Sequence, residues 1–320
     1  MRILISGGAS YIGSWLVPQL LAEGHEITVY DTLMFGNGFL PMGNGNLKVI
    51  KADVRDSMSW ASVCEGHETV IYLASISREL LCQQQPELAQ SINVDCFEPD
   101  VEIARHKGVK RFIYASSVAV YGSSETPVKE DAPLAPTTIY GIGKQKCEAV
   151  LWKYQREGFT TIATRSASVC GYAPRMRLDL TINRMVHDAC KKGTITVEGG
   201  KQQRSHVHIS DICDFYKLLL TAPGYLVGGQ AFNVVTENQS ISESAKDVFD
   251  VLGDMGKWVQ IITAPRVDDR SYAIDGEKVR VLGYAPKKSI KDAIRDVAIK
   301  FESGYWKDSL VNPIYQNMML

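Results

Sequence analysis

A tyrosine and a lysine four residues apart, in Tyr140-Gly-Ile-Gly-Lys144, are the residues of this 320-residue chain whose types and spacing point most directly to chemistry. On a helix, positions i and i+4 share a face, so the ammonium lies beside the phenol. A neighbouring positive charge favours phenolate and moves a tyrosine pKa down from ~10, which makes Tyr140 a candidate general acid or base. More hydroxyls stand upstream in Ala115-Ser116-Ser117-Val118-Ala119-Val120-Tyr121-Gly122, directly after an apolar run at 111–114 that reads as a strand. Ligands of open α/β sheets bind at the carboxyl ends of strands, where Ser117 would hydrogen-bond a reacting hydroxyl.

A second kind of chemistry is written in Ile5-Ser-Gly-Gly-Ala-Ser-Tyr-Ile-Gly13, between an expected strand and an expected helix. Small residues there let backbone N–H groups approach a pyrophosphate, and the helix N-terminus supplies partial positive charge. Gly7, Ser10 and Gly13 occupy the three spaced positions of a dinucleotide turn, with Ser10 a departure from glycine. Asp31 follows the second expected strand, 18 residues after Gly13. An acid there accepts hydrogen bonds from the ribose hydroxyls of NAD and repels the 2′-phosphate of NADP. Asp53, after the third strand, would reach the adenine edge by the same logic, or serve as a plain loop acid.

The elements that must position these groups are visible in the periodicity. Runs rich in Val, Ile, Thr and Tyr at 2–6, 26–30, 47–51, 69–73, 111–115 and 160–164 read as strands. Amphipathic stretches at 12–22, 59–64, 88–107 and 139–156 read as helices between them. The alternation predicts an α/β fold with a doubly wound parallel sheet of Rossmann type. After about residue 168 the order breaks at Gly171, Pro174, Gly193, Gly199 and Gly200. A helix near 211–220 and an apolar run at 231–235 would return to the sheet. Ser240-Ile-Ser-Glu243 and Ser289-Ile-Lys-Asp292 resemble helix N-caps followed by first-turn acids. The expected division is a dinucleotide domain over 1–168 plus about 206–236, and a smaller, discontinuous α/β substrate domain over about 169–205 plus 237–320.

Composition narrows the function classes. Thirty-five Lys and Arg against 36 Asp and Glu give a net charge of −1, with no electrostatic footprint for nucleic acid or an anionic membrane. Hydrophobic content of 45% and charged content of 22% are globular values, and no apolar run nears the ~18 residues of a membrane span. A soluble, cytoplasmic protein is expected. Its seven cysteines are odd in number and lack any Cys-x-x-Cys pair, so reduced thiols are expected and no zinc site. His187, His206 and His208 have no helical metal-pair spacing, and His206-Val-His208 would face solvent or a domain seam; no metal is expected.

In combination the motifs resemble the extended short-chain dehydrogenase/reductase family, in its nucleotide-sugar epimerase/dehydratase branch. The likeness runs through Gly7–Gly13, Asp31, Asp53-Val54-Arg55-Asp56, Tyr72-Leu73-Ala74-Ser75, Asn93-Val94, Ser116–Gly122, Tyr140–Lys144, Gly199–Asp211 and Asp275–Pro286. The resemblance implies an NAD-binding Rossmann domain, a C-terminal nucleotide-sugar domain, a nucleotide-diphosphate sugar as substrate, and a homodimer built from a helix bundle. It implies Tyr140 as acid/base, Lys144 as holder of the nicotinamide ribose and tuner of the tyrosine, and Ser117 as contact to the sugar hydroxyl. The implied cofactor set is Gly7, Ser10, Tyr11, Ile12, Gly13, Asp31, Asp53, Val54, Leu73, Ala74 and Ser75, joined by Tyr140 and Lys144, with Asn93 helping to hold the active-site helix. Arg204 and Arg266 would pair with the diphosphate and Asp268 with the nucleoside ribose; a guanidinium suits the former by its bidentate geometry. Ser168 stands where the family has a sugar-binding asparagine, and Asn183 would supply a substitute amide.

The two residues after Ser117 narrow the reaction. The family's 4,6-dehydratases carry Asp-Glu there to eliminate water, and this chain has Val118-Ala119. The expected activity is therefore that of an NAD-dependent nucleotide-sugar 4-epimerase or related C4 oxidoreductase working through a 4-keto sugar. A 4-ketoreductase or 4-dehydrogenase with exchanging cofactor is the alternative within the enzymes, and a non-catalytic NAD-binding regulator the alternative outside them.

Overall fold

The computed structural model describes residues 1–124, 126–265, 270–304, 306 and 312–317. Its described residues form two compact units: 1–122 with 133–165 and 213–232, and 123–132 with 166–212 and 233–320.

The first unit is organised on a seven-stranded sheet. Its strands are β1 (Arg2–Ser6), β2 (Glu26–Asp31), β3 (Leu47–Lys51), β4 (Thr69–Tyr72), β5 (Arg111–Ser117), β6 (Thr160–Ser166) and a last strand Gln230–Val234. In space they run Gln230–Val234, β6, β5, β4, β1, β2, β3, and β1 pairs in parallel with both β2 and β4. Ile3, Leu4 and Ile5 are fully buried, as an inner parallel strand covered on both faces requires. Connections reverse direction between β1 and β4, which makes the carboxyl ends of those two strands the natural ligand crevice.

Helices α1 (Tyr11–Ala22), α2 (Ser57–Cys64), α3 (Glu79–Gln84), α4 (Pro86–Gln90), α5 (Phe97–His106) and α6 (Ile139–Tyr154) flank the sheet in sequence. Side-chain caps fix three of their starts: Ser10 for α1, Asp56 for α2 and Thr138 for α6. Beneath them Trp60, Tyr72, Phe97, Phe112 and Tyr114 interlock through edge-on and offset ring contacts 4.5 to 6.3 Å apart.

The single helix expected over 88–107 is interrupted. Between α4 and α5, Ser91–Asp95 forms a wide π-turn. Such bulges shift a side chain out of helical register and are frequent at functional sites. Here the inward residue is Asn93, whose amide accepts from Ile76 N at 2.8 Å and donates to Ile76 O at 2.9 Å. A hydrogen-bond demand from the loop after β4, 17 residues away in sequence, thus overrides a pattern that reads as continuous helix.

The second unit holds a three-stranded sheet, Glu237–Ser240, Gln203–His208 and Ser168–Cys170 in that order, and a parallel pair of Thr194–Glu198 with Gln260–Ala264. Helices Thr181–Lys192, Ile241–Asp254 and Ile290–Glu302 accompany them, the last two opened by capping boxes at Ser240/Glu243 and Ser289/Asp292. Residues 123–132, 166–168, 206–212 and 233–236 lie in this unit, whereas the sequence reading had them in the first. Residues 123–132 join this unit because Val128 bridges Ile274 and Ser124 N donates to Ser271 O at 2.9 Å. Residues 206–208 join it because they lie in the central strand of its sheet. For the same reason His206 and His208 do not face solvent: they are 0% and 2% exposed.

Candidate active site

The glycine turn is built for close approach. Gly7 has φ +71°, and a Cβ on it would stand 2.7 Å from Ala74 N, in the loop that leaves β4. A Cβ on Gly13 would stand 2.2 Å from Gly8 O. Both clashes are with backbone: glycine at 7 lets the loop after β1 meet the loop after β4, and glycine at 13 lets α1 close on the turn that precedes it. Ser10 does not occupy the approach as a free side chain; its Oγ accepts from Gly13 N at 3.4 Å and caps α1. Tyr11 and Ile12 open the helix, with Tyr11 buried.

Asp31 lies at the rim of this turn. Its carboxylate accepts from Ala9 N at 3.0 Å and from Leu33 N at 2.8 Å, and stays partly exposed. That fixes the acid beside the phosphate-type turn. Asp53 is engaged differently: it holds Arg55 in a two-toothed ion pair, closest at 2.7 Å, which keeps its carboxyl below the usual range. Val54 beside it is buried. Leu73, Ala74 and Ser75 are each partly exposed at the carboxyl end of β4, and Ser75 Oγ donates to Asn93 Oδ1 at 3.1 Å. A turn kept close-packed by Gly7 and Gly13, a helix N-terminus above it and a carboxylate at its rim together fit a dinucleotide.

The second half of this unit's site is α6. Lys144 is 3% exposed, donates from Nζ to Ala115 O at 2.7 Å, and sits 4.5 Å from the Tyr114 ring centre and 5.3 Å from that of Tyr140. Burial pushes its ammonium pKa down to about 8. Ser117 ends β5 two residues beyond Ala115, and its Oγ accepts from Ala119 N at 3.2 Å, starting the short turn Val118–Tyr121. That turn touches the first turn of α6: a Cβ on Gly141 would stand 2.6 Å from Ala119 O. The glycine after Tyr140 is therefore what lets the tyrosine's helix close on the serine's turn. Asn93 completes the frame, since Cys147 Sγ on α6 donates to Asn93 O at 3.0 Å.

Two features were not read from the sequence. Glu79, at the start of α3, accepts from the backbone N–H of Ile139 at 3.2 Å and of Tyr140 at 3.1 Å, so a carboxylate from a helix distant in sequence seats on the N-terminus of α6. Glu148 and Arg165 form a buried ion pair behind Ser116. Neither has a local signature; their partners are 60 and 17 residues away.

The residues expected to bind substrate fall in the second unit. Arg204 is 7% exposed, donates to Gln203 O and Arg270 O, and lies 5.4 Å from the Tyr272 ring centre. Asn183, expected to offer its amide to the sugar, is 0% exposed: Oδ1 accepts from Gly171 N and Nδ2 donates to Arg177 O. Its amide is engaged at both ends in bracing the loop before its helix. Arg266 and Asp268 lie outside the described residues. All seven cysteines are free thiols.

The sequence profile of the NAD dependent epimerase/dehydratase family matches residues 3–234. A UDP-glucose 4-epimerase of Lactobacillus helveticus is 28% identical, over 96% of this chain and 98% of its own. The dTDP-glucose 4,6-dehydratase DesIV of Streptomyces venezuelae, solved with NAD bound, superposes with a TM-score of 0.85 at 27% identity, over 97% of this chain and 100% of its own. A UDP-N-acetylglucosamine 4-epimerase from Methanobrevibacter ruminantium M1 shares the fold, with a TM-score of 0.86 at 21% identity, over 95% and 98%. No helix of the described residues is long and apolar enough to cross a membrane.

Proposed function

The chain belongs to the NAD dependent epimerase/dehydratase family, and from that premise we propose that it is a nucleotide-sugar 4-epimerase or closely related C4 oxidoreductase. NAD is the cofactor of this family. When bound, it supplies the two-electron acceptor that a carbinol carbon needs, held by the Gly7–Gly13 turn with Asp31 on the adenosine ribose. The observation that carries the reading is the pairing of Tyr140 with a buried Lys144, beside a Ser117 turn that contains no acid.

In this reading Ser117 Oγ holds the sugar hydroxyl and Tyr140 Oη takes its proton. Lys144 keeps the phenolate form accessible, because an ammonium beside the ring opposes its protonation. Tyr140 then returns the proton when the carbinol is rebuilt with inverted configuration. Dehydration requires in addition a proton donor to the C6 hydroxyl and a base for C5. Val118 is 2% exposed and Ala119 has no titratable atom, so the positions next to Ser117 supply neither. Retention of the hydride equivalent on the protein distinguishes an epimerase from an exchanging dehydrogenase.

Similarity to enzymes named for UDP- and dTDP-sugars supports a nucleotide-diphosphate sugar as substrate, with Arg204 as a diphosphate partner. We also assign dinucleotide binding to the first unit and sugar binding to the second. The test is incubation with UDP-glucose, UDP-N-acetylglucosamine, UDP-glucuronic acid and dTDP-glucose, followed by NMR of the pyranose ring. Inversion at C4 that disappears in Tyr140→Phe, with NAD affinity held within a few-fold, is expected. Undiminished turnover in that variant removes Tyr140 from the mechanism.

A further inference from the structure

Two turns below Tyr140 and one below Lys144, α6 carries Glu148, a carboxylate 1% exposed. It faces Arg165 of β6, 4% exposed: Arg165 Nη2 donates to Oε2 at 2.7 Å and Nε to Oε1 at 3.0 Å. The remaining capacity of the pair reaches toward the site. Ser116 Oγ donates to Glu148 Oε1 at 2.5 Å, and Arg165 Nη1 donates to Tyr121 Oη at 2.7 Å. Ser116 immediately precedes Ser117, and Tyr121 closes the turn that Ser117 begins.

Two rungs therefore tie α6 to the end of β5: Lys144 to Ala115 O, and one turn further on Glu148 to Ser116 Oγ. Arg165 adds a third tie from β6 to the far end of the Ser117 turn. Ser117 and Tyr140 stand on different elements, and this network fixes both. Stability alone is a poor reason for such a pair, because buried ion pairs replaced by apolar residues of similar volume are often neutral or stabilising.

We infer that Glu148 and Arg165 are positioning residues whose buried pair, through Ser116 and Tyr121, sets the register of Tyr140 and Lys144 against Ser117. The inference rests on the acid/base reading of Tyr140 given above. Neither residue touches the reacting atoms; each acts by holding those that do. Sub-ångström alignment matters because displacing a reacting group by 1 Å can slow a reaction about a hundredfold.

The decisive variant removes both charges together, Glu148→Leu with Arg165→Met, since either change alone strands a buried charge. It is assayed with whichever of the four nucleotide sugars named above the parent turns over. Expected are a melting temperature within a few degrees of the parent, NAD affinity and KM within about threefold, and kcat lower by about thirtyfold or more. Parent kcat in a folded double variant overturns the inference. If the double variant does not fold, Ser116→Ala decides: it cuts one rung, and a several-fold lower kcat at unchanged KM is expected, whereas parent kcat refutes the proposal. Tyr140→Phe run in parallel separates the two claims. A parent inert toward all four sugars, or an active Tyr140→Phe, sinks the acid/base reading and this inference with it. A dead Tyr140→Phe beside a fully active double variant sinks this inference alone.

Discussion

Replacing Lys144 by methionine should stabilise the protein near neutral pH while destroying its activity, and the gain in stability should shrink in alkali. The lysine is 3% exposed, and its pKa falls from the ordinary 10.5 to about 8 because burial penalises the ammonium. At about 1.36 kcal/mol per pH unit, that fall corresponds to roughly 3 kcal/mol of folded-state penalty at pH 7. The sign comes from linkage. Between about pH 8 and 10.5 the unfolded chain binds a proton at this site that the folded chain has released, so parent stability rises with pH across that window. Below about 8 the lysine is charged in both states and the penalty is present in full. Methionine has a similar length and no charge, but it gives up the bond to Ala115 O, which returns about 1 kcal/mol. The net expectation is a variant more stable than the parent by about 2 kcal/mol at pH 7, with the difference vanishing or reversing by pH 10. Urea denaturation of both proteins at pH 7, 8.5 and 10, followed by circular dichroism, measures it. A stability difference independent of pH would refute the assignment of a strained ammonium to Lys144. Full turnover in the variant would refute its role beside Tyr140.

Asp31→Asn should lower affinity for NAD relative to NADP, because an anion that repels a 2′-phosphate is gone. Fluorescence titration of both dinucleotides reads the ratio, and an unchanged ratio displaces Asp31 from the ribose. Gly141→Ala brings a Cβ to 2.6 Å from Ala119 O, so despite the better helix propensity of alanine a net loss of about 1–2 kcal/mol of unfolding free energy, read by urea denaturation, and a lower kcat are expected. Asp100 is 1% exposed, and burial raises its pKa to about 8. Its folded form therefore keeps a proton that the unfolded chain loses between about pH 4 and 8, and stability at this site falls as pH rises. Asp100→Asn, which still accepts from Tyr72 Oη, should remove that slope and be more stable at pH 7 by at most about 4 kcal/mol, checked by melting curves at pH 5 and 7.

What the sequence disclosed, and what it withheld, divides along physical lines. β1, β2 and β4 to β6 were legible because buried parallel strands are short apolar runs with β-branched residues, and β3, a half-exposed edge strand, because its apolar residues are interspersed with lysines; the runs found differ from those expected by two residues at most. The two capping boxes were legible because the motif is local: Ser240 with Glu243 and Ser289 with Asp292. The broken helix at Ser91–Asp95 was hidden because its cause, the bonds from Asn93 to Ile76, spans 17 residues. Glu79 and Glu148 were hidden for the same reason, as isolated acids in ordinary helical composition. His206 and His208, expected at solvent or a domain seam, are not at solvent, because the Gln203–His208 strand is paired on both edges and buried, a non-local pairing that alternating polar residues do not signal. Asn183 misled because an amide in the right neighbourhood says nothing of whether backbone has already taken it.

The central claim is that Tyr140 and Lys144 serve reversible oxidation at C4 without elimination. It is tested most directly with UDP-glucose deuterated at C4, incubated with the NAD-loaded protein and followed by proton and deuterium NMR. The account predicts a product inverted at C4 that carries the deuterium at that same carbon. A 4-keto-6-deoxy product with the deuterium at C6 would contradict it.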